Sequence, residues 1–89
     1  MSEDDRQAAY ERVRAVKNAY EDELMARANV VGVGIGLRQK HGVPSNETAL
    51  VVMVTRKVPR SQLKPEDVIP AELEGIPVDV QEVGEIRAQ

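Results

Sequence analysis

Apolar and polar residues follow two periods along this chain, and each period predicts one kind of element. Ala9, Val13, Val16, Tyr20 and Leu24 recur at helical spacing, which places them on one face of a helix. That helix is expected over residues 3–27. Ser2 is positioned as its cap, and Glu3, Asp4 and Asp5 suit the positive end of the helix dipole. Tyr10, Lys17 and Glu21 flank the apolar stripe, while Arg6, Arg14, Asp22 and Glu23 form a wet back. The stripe is read as packing against the rest of the domain, with a free amphipathic arm as the alternative.

Beyond Ala28-Asn29 the period changes to that of a strand. Gly32, Gly34 and Gly36 alternate with Val31, Val33, Ile35 and Leu37, so a strand over residues 30–39 presents a bare glycine track on one face and branched side chains on the other. Glycine weakens a strand, and three in phase suggest close approach by a helix, another strand or a ligand. Residues 40–47 have the composition of a loop. A second strand is expected over 48–58. Its middle is apolar in both parities, as in a strand central to its sheet. Pairing Leu37 with Leu50, Ile35 with Val52 and Val33 with Val54 would gather the branched residues and set Gly32, Gly34 and Gly36 beside Thr55, Met53 and Val51. Pro59, Pro65 and Pro70 break up the connector that follows, leaving room for about one helical turn. Gly75 marks a turn. Residues 76–83 alternate as a third strand with Ile76, Val78 and Val80 on its core face, and Pro77 places that strand at an edge or lies near its start. Residues 84–89 read as a flexible tail.

Composition narrows the picture. The chain has 89 residues, enough for one small domain, with no Phe or Trp and only two Tyr. A chain of that size buries about 60–65% of its unfolded surface, and a core of Val, Ile, Leu, Met and Ala gains from oligomerisation. Its net charge of −3, with acids and bases interspersed, disfavours nucleic acid. The absence of cysteine fits a reducing compartment. The acidic N-terminus is unlike a signal peptide, and no apolar run reaches the length of a membrane helix. A cytoplasmic protein that does not engage a membrane is the expectation.

Three stretches carry a resemblance. Asn29-Val-Val-Gly-Val-Gly-Ile-Gly36 followed by Ala49-Leu-Val-Val52, then Pro65-Glu-Asp-Val-Ile-Pro70 and Gly75-Ile-Pro-Val-Asp-Val80, resemble the segment that precedes the catalytic domain of some bacterial trypsin-like serine peptidases. Small uncharacterised bacterial proteins are similar as well. The resemblance spans residues 10–84. It implies a bacterial accessory or stand-alone domain, regulatory or chaperone-like, acting on a peptidase or another enzyme. It implies no catalytic residue, since this chain has one histidine and no Gly-x-Ser-x-Gly.

Candidate chemistry is sparse. Gly32-Val-Gly-Ile-Gly36 lacks the spacing and the following helix of a dinucleotide loop. His41, in a Gly/Pro loop, has no nearby metal-ligand partners. Glu66, Asp67, Glu72 and Glu74 match no calcium loop and read as a solvated acidic face. Arg38 and Lys40 form one basic group and Arg56, Lys57, Arg60 and Lys64 another, at opposite ends of the proposed hairpin and without aromatic platforms. No catalytic, cofactor-binding or metal-binding residue is assigned.

The fold expected is therefore α+β: an N-terminal amphipathic helix packed on a small antiparallel sheet of about three strands. The function expected is a non-enzymatic assembly or interaction module, a homo-oligomer. Gly32, Gly34, Gly36, Val31, Val33, Ile35, Leu50, Val52 and Val54 are the candidates for close packing and interface. A protein partner such as a peptidase or other enzyme is the second reading, and nucleic acid a minor one.

Overall fold

The computed structural model describes residues 3–84. The Ser2 cap and the tail from residue 85 onward lie outside that range. Helix α1 runs over Glu3–Met25 with acids in its first turn. Val13, Val16 and Leu24 are buried and Tyr20 packs beside them, so the stripe faces the sheet as its spacing predicts. The helix stops two residues short of the expected Arg27. Asn29 then takes a positive φ of 68°, a left-handed conformation that asparagine tolerates better than most residues.

Four strands follow: β1 (Val30–Lys40), β2 (Val43–Val54), β3 (Glu72–Leu73) and β4 (Ile76–Glu82), in the spatial order β1-β2-β4-β3. The α+β class is as expected, but the sheet is mixed. β1 pairs antiparallel with β2, whereas β4 lies parallel to β2 and β3 antiparallel to β4. The long stretch from Thr55 to Gly75 makes the parallel arrangement possible, because it returns the chain to the end of the sheet from which β2 set out. Short 3₁₀ turns at Arg60–Gln62 and Pro65–Asp67 punctuate it.

Residues 40–47 are mostly strand, correcting the expected loop. His41 and Gly42 have φ of 54° and 79°, the positive values that a two-residue type I′ turn requires. This tight turn starts β2 five residues early. Farther along, the ladder breaks between Leu37/Thr48 and Gln39/Pro44. There Ser45 Oγ donates to the Arg38 carbonyl at 2.7 Å and accepts the Glu47 N–H at 3.2 Å.

Register differs from expectation by two residues. Val33 pairs with Val52, Ile35 with Leu50 and Leu37 with Thr48, while Gly32, Gly34 and Gly36 oppose Met53, Val51 and Ala49. A slip of two keeps every side chain on its expected face. A second irregularity, between Val30/Val54 and Gly32/Met53, is a bulge that gives Val31 no partner. Val30 enters the core in its place, and Val31 is 36% exposed.

The core lies between α1 and one face of the sheet. Val13, Val16 and Leu24 meet Leu50, Val52 and Val54, closed at the sides by Val30 and Ile76. Arg27 ties the helix end to the connector: one guanidinium nitrogen donates to the carbonyls of Glu66 (2.7 Å) and Val68 (2.8 Å). The neighbouring Ala28 N–H donates to Asp67 Oδ1 at 3.0 Å.

Candidate functional site

The sequence-derived candidates separate into three environments. Leu50, Val52 and Val54 are at most 3% exposed and are committed to the core. Val33 and Ile35 are half-buried, packed at its margin. Val31 is turned outward by the bulge. On the other face of β2 Val51 is also buried and Ala49 completely so.

This face lies opposite α1. Asp79 pairs with Val51 across β2 and β4, and its Oδ2 accepts the backbone N–H of Gln39 at 3.0 Å. That bond ties the far end of the β1–β2 hairpin to β4. Gln81 Nε2 donates to the same carboxylate oxygen.

Close approach to the glycine track comes from its own partner strand. A Cβ on Gly32 would stand 2.8 Å from Met53 Cε, and one on Gly36 would stand 3.2 Å from Val51 Cγ2. At Gly34 the nearest atom would be 3.9 Å away, which is ordinary contact. The glycines let Met53 and Val51 lie across β1, and no helix or strand among the described residues covers them.

Polar groups that could serve chemistry are dispersed. His41 is exposed at the hairpin tip. Asp67, Asp79 and Glu82 each accept a backbone N–H, and Arg38 pairs with Glu47 at 3.0 Å. Among the described residues no group of three or more His, Cys, Asp and Glu is gathered as a metal site would need. None of their helices is long and apolar enough to cross a membrane.

Among the described residues, the outer edge of β1 stands open. It is an end strand of the sheet, eleven residues long, with no charged residue from Val30 to Leu37. Exposed apolar side chains border it: Val31 at 36%, Leu37 at 48% and, from α1, Tyr10 at 45%. Tyr10, Ile35 and Leu37 line one groove together with Arg6, Asn46 and Thr48. Sequence reasoning included Val31, Val33 and Ile35 among the interface candidates but left out Leu37, although it completes the same alternation.

A small helix-plus-mixed-sheet domain with an open edge strand is thus the class of protein defined by the fold. Residues 12–83 match the family described as the NARROW LEAF 1 N-terminal domain, and the chain belongs to that family. No curated protein matches the chain. The match corrects the resemblance to a segment preceding bacterial serine peptidases: the family is named for a plant protein, so neither that resemblance nor the bacterial origin it implied holds. The residues quoted for the resemblance all fall within residues 12–83.

Proposed function

We propose that this domain is a non-enzymatic interaction module that assembles with copies of itself. The observation that carries the reading is the long, uncharged outer edge of β1. Sheet edges offer unpaired N–H and C=O groups, and soluble proteins ordinarily blunt them with charge, proline or very short strands. From Val30 to Leu37 β1 has neither charge nor proline. A second copy supplies the same edge, so the surface is self-complementary about a two-fold axis. The dispersed polar groups support a role without catalysis, because His41 stands alone at the hairpin tip and the carboxylates of Asp67, Asp79 and Glu82 are engaged by backbone N–H groups. Nucleic acid is disfavoured by charge placement: Arg38 and Lys40 lie near the hairpin tip, Arg56 and Lys57 beyond its opposite end. The cysteine-free composition supports a cytoplasmic setting.

Light scattering behind a sizing column at micromolar concentration tests the reading. The expected mass is that of two chains. A mass of one chain across the accessible concentration range overturns it.

A further inference from the structure

We infer that two copies join through β1, antiparallel about an axis at Ile35, so that their sheets run on as one. This rests on the self-assembly reading above and specifies the surface, the register and the stopping point of that assembly.

The argument starts from the direction of backbone groups. The Val54 carbonyl accepts the Val83 N–H at 2.8 Å, so Val54 turns its N–H and C=O toward β4. These directions alternate along a strand. Leu50 and Val52 therefore also face β4, and Ala49, Val51 and Met53 face β1. The Thr55 N–H, which donates to the Asn29 carbonyl at 2.9 Å, follows the same phase. The residues opposite Met53, Val51 and Ala49 are Gly32, Gly34 and Gly36. The glycines thus spend their backbone groups on β2, and Val33, Ile35 and Leu37 aim theirs out of the sheet.

Both ends of this window are closed. On one side the bulge displaces Val31 from the ladder. On the other, the Gln39 N–H is already given to Asp79 Oδ2. Three residues on each edge remain to be matched, and only a register centred on Ile35 gives all of them a partner. Ile35 then opposes Ile35 of the second copy, and Val33 opposes the second copy's Leu37. Each such pair exchanges two backbone hydrogen bonds. Leu37, half-exposed in a single copy, gains a branched neighbour on the helix side of the sheet. Arg38 falls opposite the second copy's Gly32, so the register sets no like charges against each other.

The assembly stops at two chains. On the sheet's other side β3 is only two residues long and pairs with Ile76 and Pro77 alone, and β4 beyond them carries Asp79 and Glu82, charges that blunt an edge. A two-fold pair therefore consumes the long uncharged edge that the described residues of each copy present.

Two measurements test the inference. Leu37→Pro removes an outward N–H that has no partner among the described residues of one copy, and proline is accepted at such edge positions. The variant is expected to keep a cooperative thermal transition while its mass falls from two chains to one. Hydrogen exchange on the unaltered chain keeps the test decisive if that variant does not fold. The amides of Val33, Ile35 and Leu37 are expected to exchange at least about tenfold more slowly where the mass is two chains than after dilution to one, with Gly34 and Gly36 protected in both. A dimer with fast exchange at Val33, Ile35 and Leu37, or a Leu37→Pro variant that stays dimeric, overturns the β1 pairing and leaves self-assembly standing. An unaltered chain that is monomeric throughout overturns both.

Discussion

The two edges of this sheet are built on opposite principles. β1 is eleven residues long and free of charge over Val30–Leu37, whereas β3 is two residues long, follows Pro70 and carries Glu72. At the β3 edge, a Glu74–Gly75 turn with φ of 49° and 81° folds the chain straight back into β4, leaving little backbone for another strand to copy. Protection of an edge thus comes from shortness, proline and charge, and over Val30–Leu37 β1 has none of them.

The largest effect is expected where both halves of the sheet depend on one residue. Leu50 is completely buried and stands between Ile35 on the open side and Val78 on the closed side. Leu50→Ala should cost about 2–5 kcal/mol through lost burial and a cavity, read from urea denaturation. A loss under about 1 kcal/mol would mean that the two sides do not share one core.

A smaller effect, confined to the closed side, is expected from Arg27. Its side chain is 16% exposed, and it serves the carbonyls of Glu66 and Val68 in the connector that leads to β3. Arg27→Ala should cost about 1–3 kcal/mol and leave the oligomeric mass unchanged. A change of mass on this substitution would tie the connector to the association surface and break the separation of the two edges.

The smallest effects belong to the glycines of the open side, and here an ordering is the informative result. A Cβ on Gly32 would be the closer to its neighbour, at 2.8 Å against 3.2 Å on Gly36. The obstacle at Gly32 is the tip of Met53, which swings aside, whereas at Gly36 it is a methyl of Val51, stiff at χ1. Replacing a strand glycine with alanine contributes about 0.5–1 kcal/mol of stability. Gly32→Ala should therefore melt no lower than the original chain, and Gly36→Ala below Gly32→Ala. The reverse order in thermal melts would show that Met53 is held more tightly than Val51.

Much of this architecture is legible in residue order, because burial on one side of a helix or strand is a local periodic property. The spacing of Val13, Val16 and Leu24 determined which face of α1 meets the sheet. The alternation from Gly32 to Leu37, with the apolar run Leu50–Val54, determined which side chains share a face and that β2 lies inside the sheet. Register was not legible, since a slip of two residues preserves every face and leaves the hydrophobic pattern unchanged. Only the His41–Gly42 turn, with both φ positive, decided it, together with the breaks at Val31 and Arg38. The parallel run of β4 beside β2 was also a tertiary outcome, set by where the connector from Thr55 to Gly75 returns the chain. That return covers one side of β2 with β4 and leaves β1 at the margin. The lack of charge along β1 was legible in the sequence, whereas its place at the margin was a tertiary outcome, because being an edge describes where neighbouring strands end up.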